Sequence, residues 1–590
     1  MKRNWLVGWM LVALFSMVTR NVIAIENGVV TTLAGSVTNS GSANGTNRSA
    51  RFYWPMSIAM DSHSNLFVAD YYNDTIRKLT PVGTNWVVTT IAGSVGSQGT
   101  NDGTGSAARF NYPSSVAVDS SDNVYVADYG NDTIRKLAPV GANWVVTTLA
   151  GSAKNAGQAD GTGSAARFFE PMGVAVDHAG NVYVADTFND AIRKVTPAGV
   201  VTTLAGKRET TGFADGTGTN ALFNNPVSVA VDSTGNVYVA DSYNQAIRKV
   251  APVGANWVVT TLAGDGQYSA GHTDGTGTNA QFYGPIGLAT DANGNVYVAD
   301  SQNDTIRKVT PAGVVSTIAG SAEWAGSVDA VGSAARFDHP AGVAIDGAGN
   351  LYVADQYNQT IRKVTRSPCV LLQAGNGGMA GLWMLDANDV PAAWAPVTGA
   401  MGSGWILSAI SQNRILLQQG LGGQIGIWTL DANGAPVKYW PVNGPLPGWI
   451  ARDLDGNHIL LQAGDGGPVG IWTLNANNTP ATWANLSGPV ANLIARGLSG
   501  NRVLLQFGNG NPAGYWTLNN SNVITAWTPL TATVPAGWVL RAMTPNNILL
   551  QAGDGGMAGL WDLDANGQPT AWHTITGAMP GWILRDIDQQ

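Results

Sequence analysis

Residues 109–152 read RFNYPSSVAVDSSDNVYVADYGNDTIRKLAPVGANWVVTTLAGS, and closely related stretches occur six times in the chain. Alignment on the tripeptide VAD spaces its aspartates by 58, 58, 55, 59 and 55 residues. Steps this regular indicate one stacked supersecondary unit, and they are too long for helical solenoid repeats. The six aspartates are Asp70, Asp128, Asp186, Asp241, Asp300 and Asp355.

Each unit alternates apolar and polar residues with the period of β-strands. SVAVD, NVYVAD, TIRKL and VVTTLAG form four short runs bounded by turn residues. Six units of four strands predict an all-β domain, a six-bladed β-propeller. VVTTLAG occurs once before the first VAD unit and is missing after the sixth, so we expect Val29 to Leu33 to complete the last blade beside Ile361 and Lys363.

The motif P-x-[GS]-[VIL]-A-[VMTI]-D-x-x-x-N-[VL]-[YF]-V-A-D-x-x-N-[DQ]-x-I-R-K recurs across residues 28–366 and resembles the NHL repeat. The resemblance implies a six-bladed propeller whose innermost strand begins at the motif proline. Some NHL-like propellers are lyases or hydrolases that hold a metal in the central channel through His or carboxylate ligands. The resemblance therefore leaves both a binding protein and an enzyme open.

The N-terminus has the features of an export signal. Lys2 and Arg3 precede 14 uncharged residues from Trp5 to Val18, and NVIA follows at 21–24. This pattern predicts a signal peptide at residues 1–24. A membrane anchor is the alternative, although 14 residues are short for about 30 Å of hydrocarbon. We expect an exported protein, secreted, periplasmic or held at the cell surface, with no membrane span after cleavage.

Composition limits the classes of partner. Charged residues make up 12% of the chain and the formal net charge is −8. Nucleic-acid binding needs clustered Lys and Arg, so we expect no nucleic-acid partner. Cys369 is the single cysteine, which excludes an internal disulfide.

Two repeated groups of charged residues have structural interpretations. Asp128 and Arg135 recur in every unit, and a hairpin that pairs Asp128 with Thr133 places both on one face. We predict a structural ion pair, because a catalytic group is needed only once. Four connectors contain DGTG, which we interpret as a turn before a capped helical turn, since calcium needs six to eight oxygens. Their aspartates are Asp102, Asp160, Asp215 and Asp274.

The residue before the motif proline differs between units, and these positions are expected to surround one mouth of the channel. Aromatic faces beside amide and carboxylate groups suit a sugar or a peptide, whereas neutral drift at an exposed rim is the alternative. The preceding residues are Tyr53, Asn111, Phe169, Asn224, Tyr283 and Asp338. The candidate ligand-binding residues are Trp54, Tyr112, Glu170, Asn225 and His339, and Gly284 fills the remaining position.

Catalytic residues, a cofactor and a metal site are not predicted. Only Glu170, Asp338 and His339 offer metal ligands near the mouth, and Glu170 and His339 belong to opposite blades. His63 and His178 lie in turns, and the sequence assembles no nucleophile, base and orienting group. The predicted function is non-catalytic binding or scaffolding of protein or carbohydrate ligands through propeller surfaces. The alternative is a hydrolase or lyase that uses the central channel.

A second repeat occupies residues 367–590, after the first propeller at 25–366. VLLQAGNGGMAGLWMLDAN at 370 recurs at 415, 459, 503 and 548, which predicts a tandem five-bladed propeller. The units resemble VCBS or FG-GAP-like repeats weakly, and their size is similar to that of five-bladed lectin propellers. The calcium loop of the former is degraded to RDLDGN at 452–457. This half holds 14 of the 21 tryptophans, interpreted as core wedges or sugar-stacking platforms.

Overall fold

The structure, a computed structural model, describes two compact units of the chain. It covers residues 28–366 except 38, 209, 267–269 and 323, and it covers the strands of residues 369–588 with some of the residues between them. The first unit runs from Asn27 to Arg366, and the second comprises the segment from Ser367 onward. The predicted signal peptide at residues 1–24 lies outside the described residues.

The first unit contains six antiparallel sheets, which confirms the all-β propeller prediction. Blade 1 has strands Gly45–Thr46, Pro55–Met60, Leu66–Asp70, Thr75–Val82 and Asn85–Gly93. Blade 2 has strands Gly103–Thr104, Pro113–Val118, Val124–Asp128, Thr133–Val140 and Asn143–Gly151. Blade 3 has strands Gly161–Thr162, Gly173–Val176, Val182–Asp186, Ala191–Val195 and Val200–Gly206. Blade 4 has strands Gly216–Thr217, Pro226–Val231, Val237–Asp241, Ala246–Val253 and Asn256–Ala263. Blade 5 has strands Gly275–Thr276, Pro285–Thr290, Val296–Asp300, Thr305–Val309 and Val314–Gly320. Blade 6 has strands Pro340–Ile345, Leu351–Asp355, Thr360–Arg366 and Gly28–Gly35.

Five blades have one strand more than the sequence predicted. The additional strand consists of the two residues Gly-Thr of the connector. In blade 2 this strand is Gly103–Thr104, and Thr104 pairs with Val145 of the VVTTLAG strand. Two residues are too few to show a strand period, so the pattern gave no signal for it. The strand that begins near the motif proline is the innermost of each sheet, the next two follow outward, and the VVTTLAG strand is outer.

The N-terminal strand closes the first propeller. Gly28–Gly35 pairs antiparallel with Thr360–Arg366, and Thr31 lies opposite Lys363. The last blade therefore takes its outer strand from the start of the chain, and its third strand has no free edge. A paired edge protects the sheet from association with another chain.

The described helices are single 3₁₀ turns, and among the described residues none is long and apolar enough to cross a membrane. Six precede the inner strands: Asn47–Ser49, Gly105–Ala107, Gly163–Ala165, Gly218–Asn220, Gly277–Asn279 and Gly332–Ala334. Five join the second and third strands: Tyr71–Asn73, Tyr129–Asn131, Thr187–Asn189, Ser242–Asn244 and Ser301–Asn303. Thr104 makes no side-chain cap, so the prediction of a capped turn was wrong at that position.

The core lies between neighbouring blades. All five residues of Val124–Asp128 are buried, because the second strand of each blade packs against a blade on both sides. Phe67 and Ile76 of blade 1 pack against Phe110 and Val126 of blade 2 in one such layer. This repeated packing holds the inner strands around a common axis.

The second unit contains five four-stranded sheets, in agreement with a five-bladed propeller. Blade 7 has strands Cys369–Ala374, Ala380–Leu385, Pro391–Pro396 and Trp582–Asp588, and blade 8 has strands Trp405–Ser411, Arg414–Gln419, Ile425–Leu430 and Pro436–Val442. Blade 9 has strands Trp449–Asp455, His458–Ala463, Val469–Leu474 and Pro480–Leu486. Blade 10 has strands Leu493–Ser499, Arg502–Phe507, Ala513–Leu518 and Ile524–Pro529. Blade 11 has strands Trp538–Met543, Asn547–Ala552, Ala558–Leu563 and Pro569–Ile575.

The GWI strand that ends each sequence repeat is the inner strand of the following blade. Its last copy, Trp582–Asp588, pairs with Cys369–Ala374 of the first blade in this unit. The second propeller is therefore closed by its C-terminal strand. Within the degraded calcium motif, Asp453 is buried and its Oδ2 accepts the backbone N–H of Leu498 in the next blade, which is a structural role.

Candidate ligand-binding mouth of the first propeller

Every blade contains a buried ion pair next to the segment that forms the mouth. In blade 2, Arg135 Nη1 lies 2.7 Å from Asp128 Oδ2, and both side chains are buried. Asp128 pairs with Thr133, so the hairpin has the predicted register. The same ion pair joins Arg77 to Asp70, Arg193 to Asp186, Arg248 to Asp241, Arg307 to Asp300 and Arg362 to Asp355. The ion-pair prediction is confirmed.

The DGTG aspartate is the second carboxylate of this arginine. Asp102 Oδ1 lies 2.7 Å from Arg135 Nη2, and Asp102 also accepts hydrogen bonds from the backbone and hydroxyl of Thr148. Blades 1 and 6, whose connectors lack DGTG, place Asn44 and Asp329 at this position. The cation that these connectors hold is thus a guanidinium group.

The buried aspartate also fixes the chain at the mouth. Asp128 Oδ1 accepts the backbone N–H of Asn111 at 2.8 Å, one residue before the variable position Tyr112. Burial raises the pKa of Asp128 to about 6, while the charge of Arg135 and the hydrogen bonds oppose this rise. Equivalent bonds reach Tyr53, Phe169, Asn224, Tyr283 and Asp338 in the other blades.

A second set of hydrogen bonds connects each variable position to the preceding blade. Asp74 Oδ1 accepts the N–H of Tyr112 at 2.9 Å, and Gln359 Oε1 of the last blade accepts the N–H of Trp54 at 2.7 Å. The remaining pairs are Asp132 with Glu170, Asp190 with Asn225, Gln245 with Gly284 and Asp304 with His339. Burial raises the pKa of all four aspartates in this set.

The variable positions have an unfavourable backbone conformation. All six have φ between 47° and 58°, in the left-handed region. Left-handed backbone costs a residue with a Cβ about 1–2 kcal/mol, and only blade 5 uses glycine there. Five blades therefore keep a side chain in this region, and only Asn225 is of a type that adopts it readily. The five residues are Trp54, Tyr112, Glu170, Asn225 and His339. Strain kept where glycine fits motivates a functional hypothesis.

The channel below the mouth is narrow. Three residues from each of five inner strands, and two from blade 3, line a cavity of about 50 Å³, which has room for a few water molecules. Small residues allow the inner strands to approach closely, since a Cβ on Gly342 would lie 2.7 Å from Ser57 Cα and one on Gly173 2.6 Å from Ser228 Cα. A ligand larger than a few waters is therefore confined to the mouth.

Aromatic rings from the last and first blades stack at the mouth. The Tyr357 ring lies between His339 and Trp54, with centroid distances of 4.2 Å and 5.0 Å and interplanar angles of 12° and 27°. The Trp54 ring also contacts Tyr72 at 4.7 Å. Trp54 and His339 are thus brought together by a tyrosine that the sequence analysis did not select.

The row of aromatic rings continues through blade 2. Tyr72 meets Tyr112 at 5.8 Å, Tyr71 stacks on Tyr112 at 5.0 Å, and Tyr71 meets Tyr129 at 6.3 Å. The Tyr129 hydroxyl donates a hydrogen bond to Glu170 Oε2 in blade 3. We call the seven residues His339, Tyr357, Trp54, Tyr72, Tyr71, Tyr112 and Tyr129 the aromatic band. Asn225 belongs to blade 4 and is outside it.

One end of the aromatic band carries a cluster of titratable groups. His339 Nδ1 lies 3.0 Å from Asp338 Oδ1 and 3.8 Å from Asp304 Oδ1. One ligand atom from each of the three residues lies within 4.8 Å of the others, a spacing that could hold a cation. From the sequence, Asp338 and His339 were possible ligands together with the distant Glu170, whereas the third group of the cluster is Asp304.

The charge of the mouth is negative. Six carboxylates surround it: Asp74, Asp132, Glu170, Asp190, Asp304 and Asp338. In the part of the chain that the structure describes, their ion pairs within 4 Å are with His339 alone. Ionised carboxylates at these positions would repel an anionic ligand.

Sequence reasoning missed the turn residues beside the variable positions. The backbone N–H of Tyr71 donates to Trp54 O, and that of Tyr357 donates to Asp338 O, so the turn and the pre-proline segment run side by side. These turn positions differ between blades just as the pre-proline positions do. That variation was the signal that could have identified Tyr71, Tyr72 and Tyr357.

Comparisons with known proteins identify the repeat. The NHL repeat family model matches residues 110–137, 223–250, 282–308 and 337–364. The chain is 30% identical over 288 residues to Protein SUPPRESSOR OF QUENCHING 1, chloroplastic, of Arabidopsis thaliana, covering 47% of this chain and 26% of that protein. It is also 30% identical to NHL repeat-containing protein 2 of Gallus gallus, covering 49% and 43%. The chain thus spans less than half the length of either relative.

A solved structure of an auxiliary nutrient binding protein from Bacteroides ovatus superposes with a TM-score of 0.44 and 21% identity, covering 57% of this chain and 76% of that one. The family match falls on the repeated motif, within the sheets of the first unit. The family model thus identifies NHL repeats in blades 2, 4, 5 and 6 of the first propeller.

Proposed function

We propose that this protein is an exported, non-catalytic binding protein whose first propeller holds a protein or carbohydrate ligand at the channel mouth. The observation that carries the proposal is the left-handed backbone at five variable positions that keep a side chain, four of which are strained by it. Such strain persists only where the surrounding structure enforces it, and here two hydrogen-bond sets, from the buried aspartates and from the preceding blade, do so.

The aromatic band supplies contact area for such a ligand. Tyr72 and Tyr357 of the band are exposed, as is Tyr53, whose ring lies 4.9 Å from that of Tyr72, and tyrosine offers an apolar face with a polar edge. Carboxylates at both ends, Glu170 and Asp338, provide hydrogen-bond acceptors that fix orientation. Sugar hydroxyls and peptide amides are the donors that suit this arrangement.

The alternative function is that of a hydrolase or lyase. The cluster of Asp304, Asp338 and His339 favours it, because these groups could hold a cation beside a substrate. Each group already has a partner within the cluster, however, and the channel beneath it has room for only a few waters. We therefore propose that the cluster orients His339 and Tyr357 for binding.

An array of glycans and peptides, probed with the purified chain, tests the proposal. The parent should bind at least one class of ligand, with equal affinity in the presence of EDTA and of added divalent metal. Glu170→Gln and His339→Ala should each weaken binding modestly. Conversion of a bound compound to product, lost by about 100-fold or more in either variant, would show that the enzyme alternative is right.

A further inference from the structure

Half-exposed aromatic rings recur at one position of the second propeller. Tyr439, Trp527 and Trp572 lie on the outer strands of blades 8, 10 and 11 and are 37%, 41% and 41% exposed. The cross-strand partners of the two tryptophans, Trp516 and Trp561, are only 5% and 9% exposed. In blades 10 and 11 the core therefore contains the tryptophan of the third strand, and the outer tryptophan remains exposed.

Each outer ring lies over a glycine of the third strand. A Cβ on Gly559 would come within 2.2 Å of Trp572, and one on Gly514 within 2.6 Å of Trp527. The missing side chain lets the indole pack against the strand, and Trp572 is still 41% exposed. Trp572 Nε1 donates a hydrogen bond to Thr574 Oγ1 at 3.1 Å, which fixes the ring orientation.

Blade 11 differs from blade 10 in the groups beside the ring. Thr570, Trp572 and Thr574 alternate along the outer strand, so they share one face, and all three are exposed. Pro529 stands in blade 10 where Thr574 stands in blade 11. The ring centroids of Trp538 and Trp572 are 5.4 Å apart and their planes are inclined by 79°.

We propose that Trp572, Thr570 and Thr574 bind a neutral pyranose unit of a carbohydrate. The C–H face of a pyranose can stack on the exposed indole. Thr570 Oγ1 donates to the backbone oxygen of Asp562, so it is available to accept a hydrogen bond from a sugar hydroxyl, and the Thr574 hydroxyl, which accepts from Trp572, can donate to one. The side chains of His573 and Asp562, which are 2.7 Å apart, lie on the opposite face of the sheet, so the surface formed by Thr570, Trp572 and Thr574 carries no ionisable group.

This site is separate from the mouth of the first propeller. None of its residues belongs to the aromatic band, and it lies in the other compact unit. A comparison of the parent with Trp54→Ala therefore distinguishes the two sites. Sugar binding that depends on Trp572 and survives Trp54→Ala belongs to the second propeller.

The test uses the full chain and neutral tetrasaccharides of glucose, namely cellotetraose and maltotetraose, together with a printed array of neutral glycans. At least one glycan should bind both the parent and Trp54→Ala. Trp572→Ala should weaken that binding at least 10-fold, and Thr570→Val, which keeps the shape and removes a hydroxyl, should weaken it about threefold or more.

Trp527→Ala is the matched control, because its ring lies over Gly514 in the same way but lacks the second threonine. It should change the affinity less than twofold. The proposal is overturned if no neutral glycan binds, if Thr570→Val and Trp572→Ala bind as the parent does, or if Trp527→Ala causes the same loss as Trp572→Ala.

Discussion

The rings of Trp54 and Tyr357 stack across the junction of the first and last blades, with centroids 5.0 Å apart and planes inclined by 27°. The junction is closed by the N-terminal strand, so the aromatic band depends on the completed propeller. Trp54 takes part in the stack from a left-handed backbone with φ of 58°. Trp54 therefore combines the aromatic stacking with a strained backbone, which makes it the most informative position to change.

Glycine should relieve the strain at position 54 better than alanine. Both substitutions remove the indole, but only glycine adopts positive φ freely, so Trp54→Gly should be about 1 kcal/mol more stable than Trp54→Ala. Urea unfolding measures the difference. Gly284→Ala is the reciprocal control and should destabilise, because its Cβ would lie 2.8 Å from Gln302 Nε2. A Trp54→Ala variant more stable than Trp54→Gly would contradict the assignment of strain.

Removing the buried Arg135 should destabilise the protein far more than changing its outer partner, Asp102. Arg135→Ala leaves Asp128 buried without its cation, and we expect the free energy of unfolding to fall by about 3–5 kcal/mol. Asp102→Asn should cost no more than about 1 kcal/mol, because blade 1 already uses Asn44 at the equivalent position. If urea unfolding shows that both variants lose the same free energy of unfolding, the ion pair between Arg135 and Asp128 is not the main stabilising contact of this arginine.

The aspartates that accept the backbone N–H of the variable position in the next blade should make the stability depend on pH. Burial raises the pKa of Asp132, so its contribution is fully present below its unfolded pKa of about 3.9 and is lost as pH rises through the folded value. Asparagine can still accept the N–H of Glu170 but does not ionise. Asp132→Asn should therefore match the parent near pH 4 and exceed its melting temperature at pH 7.

Gln245→Glu provides the opposite change at the same place in blade 4. It introduces a half-buried carboxyl group, so its melting temperature should fall below that of the parent as pH rises from 4 to 7. Thermal unfolding of both variants across this range gives the comparison. A difference that does not vary with pH in either variant would show that these groups do not titrate with folding.

Closure of the first propeller should be essential for its folding. Deleting residues 25–36 removes the strand that pairs with Thr360–Arg366 and exposes a sheet edge, so the first unit should unfold at lower temperature or aggregate. Deleting residues 582–590 removes the closing strand of the second propeller and should affect that unit instead. A 25–36 deletion that melts like the full chain would contradict the closure.

Short-range patterns predicted the fold well. The strand period and the regular step identified the blades, and the seven-residue spacing of Asp128 and Arg135 identified the ion pair. Contacts between residues that are far apart in the sequence were not predicted. Asp102 reaches Arg135 from 33 residues away, and Asp304 reaches His339 from the preceding blade across 35 residues. The rings of Tyr71 and Tyr357 stood in turns, where the sequence shows no period to interpret.

The affinity of Trp54→Ala for an array-identified ligand of the mouth tests the central claim most directly. Titration calorimetry should show a loss of about 1–3 kcal/mol relative to the parent, since truncation removes an aromatic anchor. Trp324→Ala, which removes a tryptophan that is 64% exposed and outside the aromatic band, should bind as the parent does. If Trp54→Ala binds every ligand as tightly as the parent, the mouth of the first propeller is not the binding site.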